Sequence, residues 1–267
     1  MSKIVFIMNS EKIFYKLSLM FKNLGDFTLY VLKILKFIFK GKVYFSNVAE
    51  QFIALGVKSL FIATFTAIFV SMVLVLQTGL QLEKFGAKLS VAGISAIALF
   101  REMIPVIVAL IVGAKIASSI TAEIGTMKVS EQLDAMEMMA VNPFSYLIIP
   151  KVLAVSLSFP LLVLYCDVAG IVAGAVIANL SLNINLSSFF TVASNFLDYM
   201  DFLIGLFKSI IFGIIIGIIG TYYGYKTSGG AKGVGIYTTY SVITTLIIVI
   251  ILDFFIGNWI VFLEKIL

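Results

Sequence analysis

"LFIATFTAIFVSMVLVL", residues 60–76, runs for seventeen residues without a charge. Extended to about 50–78, it suits a membrane-spanning helix, which needs ~20 apolar residues to cross hydrocarbon. The rest of the chain shares this character. Of 267 residues, 61% are apolar and only 12% are charged, and the mean hydropathy is +1.12. Soluble domains carry about one quarter charged residues, so this composition indicates an integral membrane domain. A second span, Met103 to Thr121, widens to about 97–121 and holds Lys115. The third covers about 147–178 around Asp167. The fourth covers about 202–225, mainly between Lys208 and Lys226, and the fifth about 234–263, continuing past Asp253. The uncharged stretch Leu89 to Phe100 is too short to cross alone and is expected to be re-entrant. The expected fold is an all-α membrane protein with five transmembrane helices.

Basic residues orient these spans. With five crossings, the N-terminus, residues 122–139 and the 225–233 loop share one side. Eight lysines before residue 50, with Lys226 and Lys232, fall there. The 179–201 connection has no lysine or arginine but carries Asp198 and Asp201. The lysine-rich side is therefore expected to face the cytoplasm or its equivalent. Within the basic segment, residues 27–42 place Lys33, Lys36 and Lys40 on one helical face and Leu32, Leu35 and Phe39 on the other. Three lysines within eight residues make a spanning helix costly, so an amphipathic helix lying in the interface is expected.

Composition also excludes chemistry. The chain has no histidine, which removes the commonest general base and metal ligand. Its one cysteine, Cys166, allows no disulfide and no thiolate metal site. Catalytic and metal sites are both expected to be absent. The net charge of +5, concentrated near the N-terminus, reads as attraction to an anionic lipid surface and not to nucleic acid. No signal peptide is expected after Lys3, and a single arginine argues against a transit peptide. No Walker A spacing occurs, so ATP hydrolysis is not expected in this chain. "GGAKGVG", residues 229–235, reads as a tight turn between spans because no strand precedes it. Gly170 and Gly174, Gly213 and Gly217, and Gly220 and Gly224 have the spacing that lets helices approach closely in lipid, although glycine is also generally common in spans.

Two charged features interrupt the apolar chain. In "AEIGTMKVSEQLDAMEMM", residues 122–139, Val129, Leu133, Met136 and Ala140 form an apolar helical stripe flanked by Ser130, Asp134 and Glu137. Ser130 is expected to cap this helix, with Glu131 in its first turn. Either a partner-binding helix or a solvated loop helix fits that pattern. The second feature, Arg101–Glu102, is an adjacent pair of opposite charges between apolar runs, with Met103 and Ile107 on the same face. It suits a polar patch at the mouth of a lipid path or a structural ion pair at the membrane boundary. Asp167 and Asp253 suit helix-packing hydrogen bonds better than a proton relay.

Arg101, Glu102, Pro105, Val106, Ala109 and Leu110 continue through "GAKIASS" into the charged segment, then "AVNP" and "YLIIPKVLA". With "FGAKLSV" before it and "GGAKGVGIYTTYSV" after it, this resembles the MlaE-type permease family, the membrane subunits of lipid-transporting ABC transporters in bacteria and plastids. The resemblance covers about residues 48–262 and divides the chain into a basic segment, 1–49, and a permease domain, 50–267. It implies that residues 123–140 form a coupling helix for a separate ATPase, with Glu123, Gly125, Thr126, Met127, Glu131, Gln132, Asp134 and Ala135 at the motif positions. It also implies that Leu74, Leu82 and Phe85 complete an apolar lipid pocket with Arg101, Glu102, Met103 and Ile107. Lys115 stands where the family usually has arginine, which keeps the charge but loses the planar fork.

The resulting expectation is the permease subunit of an ABC-type lipid transporter in a plastid inner envelope or bacterial inner membrane. Five spans make a thin wall alone, so a homodimer is expected. The resemblance adds an ATPase carrying ATP and Mg on one side and an MCE-domain lipid-binding protein on the other. The rivals are a proton-coupled secondary transporter using Glu102 or Asp167, and a non-transporting scaffold.

Overall fold

The computed structural model describes residues 22, 25–38 and 43–266. Most of the basic N-terminal segment, with Phe39 to Lys42 of its amphipathic stretch, lies outside the described residues. All elements within them are helical. α1 covers residues 25–38. Five helices are long and apolar enough to cross a membrane: α2 (Phe45–Glu83), α3 (Lys88–Val129), α5 (Phe144–Leu182), α7 (Tyr199–Lys226) and α8 (Gly230–Glu264). Two short helices join them, α4 (Gln132–Met138) after α3 and α6 (Leu186–Phe196) after α5. The chain is a multi-pass membrane protein.

The stretch Leu89 to Phe100, expected to be re-entrant, is instead continuous with the second span. α3 holds 42 residues, about 63 Å of helix and twice the hydrocarbon thickness. Its first turns pack on α6 on the far side, where Val91, Ala92 and Ala96 meet Phe189 and Ala193. A π-helical turn at Leu99–Met103 links this part to the rest. Pro105 lacks the N–H that would bond the Arg101 carbonyl and crowds it, which favours a widened turn there. Pro150 follows a second π turn, Phe144–Ile148, for the same reason.

Small residues set the bundle's spacing. α2 buries Ala63, Ala67, Ser71, Val75 and Gly79, one every fourth residue, against the parallel helix α5. The three glycine pairs all sit at such close approaches. A Cβ on Gly174 would lie 2.9 Å from Val75, one on Gly217 3.0 Å from the Val152 Cα, and one on Gly220 3.2 Å from the Ala117 Cα. The pairs therefore seat α5 on α2, α7 on α5 and α7 on α3. Thr121 on α3 adds an interhelical hydrogen bond to the Gly220 carbonyl at 2.9 Å. Without a hydrophobic drive between spans, such close packing is what holds them together. α8 is the most open span and turns Ile247, Phe254, Phe255 and Trp259 outward.

α1 keeps the expected amphipathic character within the described residues and adds to it. Besides its lysine and leucine faces it has a protein-packing face, where Tyr30 and Ile34 are buried against Phe144, Ile148, Val152 and Tyr222. Leu32 and Leu35 remain exposed. The helix is clamped to the ends of α5 and α7 while it offers leucines to lipid.

A cysteine at Ser187 in α6 and one at Met138 in α4 test the topology. Both positions are exposed, and the native Cys166 is buried. In sealed vesicles the two are expected to label from opposite sides; labelling from one side would contradict five crossings.

Candidate functional site

Most charges of the spans gather into three clusters; Asp167, buried in α5, stands outside them, and its Oδ1 lacks the helix-packing hydrogen bond expected of it among the described residues. On the far side, Arg101 bonds Asp201 at 3.1 Å and Glu264 at 2.6 Å. Asp201 is placed by the start of α7, where it and Asp198 form a reciprocal capping box. One turn deeper, the Lys208 ammonium bridges Glu102 of α3 and Asp253 of α8, the latter at 2.9 Å. Lys208 lies nine residues into α7, about 14 Å from its far-side end, so the bridge lies within the membrane. Lys208 is fully buried, whereas the Glu102 side chain is 49% exposed. Glu102 therefore presents its outer carboxylate edge to an open face beside Met103, which is also exposed.

The apolar residues expected around this patch divide. Leu74 packs on the central core, and Ile107 is half-buried one turn from Met103. Leu82 joins the separate far-side cluster around Val75 and Val91, and Phe85 is exposed in the turn after α2. A charged centre thus opens onto an apolar face, with Leu82 and Phe85 farther out along α2.

On the lysine-rich side, fully buried Lys151 of α5 bonds Glu123 of α3 and Gln51 of α2, each at 2.7 Å. Lys115 donates to the Lys58 carbonyl at 3.1 Å and to Ser59 Oγ at 3.2 Å. These acceptors lie where α2 passes from a π turn to a 3₁₀ turn. Both acceptors are neutral single oxygens, so lysine serves where a planar guanidinium has no paired carboxylate to grip.

The segment expected as one coupling helix over 123–140 is broken. α3 continues to Val129, and Glu131 then adopts a left-handed φ of 60° before α4 begins. Ser130 does not cap α4; its hydroxyl donates back to the Thr126 carbonyl at 2.8 Å. Ala140, also left-handed, ends the segment. Two non-glycine residues in this conformation cost ~1–2 kcal/mol each, so surrounding contacts must fix the turn. Leu133, buried, with Met136 and Met127, seats it on the central core. Glu123 belongs to the Lys151 bridge, and Gly125 lies so close to Thr227 that a Cβ would sit 2.8 Å from its hydroxyl. Lys128 bonds Asp134 at 2.9 Å. Glu131, Gln132, Ala135, Glu137, Met138 and Met139 are exposed, as is most of Asp134. α4 therefore has one face on the spans and one acidic, methionine-rich face turned outward.

The sequence that folds into this arrangement, a short acidic helix docked on a five-span bundle with a charged centre on the other side, has relatives. Residues 48–258 match the family described as Permease MlaE. The chain belongs to the MlaE permease family. The "Probable ABC transporter permease protein slr1045" of Synechocystis is 38% identical over 93% of this chain and 94% of its own length. "Probable ABC transporter permease protein ycf63" of Pyropia yezoensis is 42% identical over 80% of this chain and 81% of its own length. "Protein TRIGALACTOSYLDIACYLGLYCEROL 1, chloroplastic" of Arabidopsis thaliana is 35% identical over 83% of this chain and 63% of its own length. Like these permeases, the chain is a membrane subunit, and its family includes bacterial and chloroplast members.

Lys208, Lys151, Asp201 and Glu264 are not among the site residues that the sequence suggests. Following the third span around Asp167 alone passes over Lys151, and Lys208 marks only the edge of an uncharged run. The available signal was cost: a lysine inside a span needs a carboxylate on a facing helix.

Proposed function

We propose that this MlaE-family permease moves lipids, driven by a separate ABC ATPase that docks on α4 at the lysine-rich side. The observation that carries this is the union of two surfaces in one chain. An acidic helix is locked to the span ends, and a carboxylate patch within the membrane opens onto an apolar face. The apolar face suits acyl chains and the patch of Arg101 and Glu102 suits a polar head group. The name of the Arabidopsis relative, that of a galactolipid, supports a lipid substrate. The open face at Glu102 and Met103 is best closed by a second copy of the chain, and an MCE-domain lipid-binding protein fits the far side. ATP and Mg belong to the ATPase, and this chain needs no cofactor of its own.

α4 is joined to the end of α3 by Lys128 with Asp134 and by Leu133 on the central core, and that end of α3 meets Thr227 after α7 through Gly125 and Lys151 of α5 and Gln51 of α2 through Glu123. A push on α4 thus reaches the ends of α3, α7, α5 and α2 together. Reconstituted with its ATPase and MCE-domain partner, the protein is expected to move lipid only with ATP, and to continue when the proton gradient is collapsed. Ile107→Asp should retain the assembly but lose lipid movement and co-purified lipid, because it charges the acyl path. Transport that follows the proton gradient without ATP would overturn the proposal in favour of a secondary transporter.

A further inference from the structure

A cleft of about 360 Å³ lies on the lysine-rich side, away from the patch at Glu102. It forms where α1 crosses the ends of α5 and α7, between Lys33, Lys226, Phe144, Tyr222 and Tyr225, with Asp26 and Leu29 at its lining. Its floor is a fixed aromatic set. Tyr30 stands 5.4 Å from Tyr222 and 5.6 Å from Phe144 between ring centroids, and Phe144 lies 5.3 Å from Tyr225. The Lys33 ammonium sits 3.9 Å above the Phe144 ring and 5.9 Å from that of Tyr225, and forms no ion pair among the described residues. Lys226 bonds the Tyr222 hydroxyl at 3.1 Å and lies 3.6 Å from Asp26. Among the described residues, Asp26 pairs with Lys226, and Lys33 pairs with no carboxylate in the cleft.

A ring face steadies an ammonium without supplying the oxygen acceptors that its three N–H groups seek. Those donors remain for an anion entering the cleft. Leu29 and Leu32 on α1 are exposed, 67% and 54%, so an acyl chain attached to that anion has an apolar surface to follow. We propose that this cleft binds a phosphate group, supplied by an anionic phospholipid of the leaflet on the lysine-rich side. It is a second lipid site, separate from the proposed transport path and independent of it, and it anchors α1 against the span ends.

Native mass spectrometry of the full chain in mild detergent, titrated with phosphatidylglycerol and with phosphatidylcholine, tests this. Phosphatidylglycerol should be retained preferentially. Lys33→Gln should weaken its retention by about 5-fold, the scale of one lysine at an anionic surface. Asp26→Asn should strengthen it, and a merely structural role for Asp26 gives no such gain. Inorganic phosphate is the competitor that separates the sources. Failure to displace the lipid supports a lipid head group. Binding of inorganic phosphate alone, with the same dependence on Lys33 and Asp26, supports the phosphate site with a soluble ligand. Retention insensitive to both substitutions, or equal for the two lipids, overturns the proposal.

Discussion

Lys208→Met is expected to destabilise the protein more than any other single change of a charged residue in the spans. The ammonium is fully buried and joins carboxylates from two other helices, so its loss leaves Glu102 and Asp253 facing each other inside the membrane. Breaking a buried pair by removing one partner costs ~3–5 kcal/mol. Both acids keep some exposure, which favours the lower end of that range. A fall of roughly 5–10 °C in the thermal midpoint of the detergent-purified protein is the expected reading. The triple variant Lys208→Met, Glu102→Gln, Asp253→Asn should recover most of the loss, because the uncompensated charges are gone. A single variant as stable as the unaltered protein would show that the bridge does not hold α3, α7 and α8 together.

The five spans were legible because long uncharged runs have one solution in lipid, and the glycine pairs because close helix approach requires them. What lay between facing helices was not legible. Lys208 pairs with residues 106 and 45 positions away, and no periodicity along one helix reveals which neighbour it meets. The protein-packing face of α1 was hidden for the same reason, since Tyr30 and Ile34 gain their meaning from Phe144 and Tyr222. Continuity of Leu89 to Phe100 with the second span was obscured by Arg101 and Glu102, whose charges read as a boundary until Lys208 and Asp201 appear beside them. The break at Glu131 carries no glycine, so a helical wheel runs through it and joins Val129 to Leu133. For residues 123–140, a specific resemblance located the segment, and the structure then separated Gly125 and Met127, packed on the spans, and Glu123, bonded to buried Lys151, from the outward residues. Asp198 and Asp201 look like free acids in the sequence but form the capping box of α7.

The second large effect is expected at α4. Glu131 and Asp134 lie on its outward face, and neither enters the membrane. Reversing both to lysine should weaken binding of the ATPase by ~1–3 kcal/mol if they make charge-assisted contacts, roughly 5- to 150-fold. The same change breaks the exposed bridge from Asp134 to Lys128, but exposed pairs contribute only ~0–1 kcal/mol. Adding Lys128→Glu to Asp134→Lys restores that bridge with its charges exchanged, so recovery of binding in this variant would assign the loss to the bridge. Lys84 and Lys265, exposed on the far side, supply the control pair when reversed to glutamate. The direct measurement is the amount of ATPase that co-purifies with each variant at equal membrane insertion. The account predicts loss with Glu131 and Asp134 reversed, and full retention with Lys84 and Lys265 reversed; equal retention in both would contradict coupling through α4.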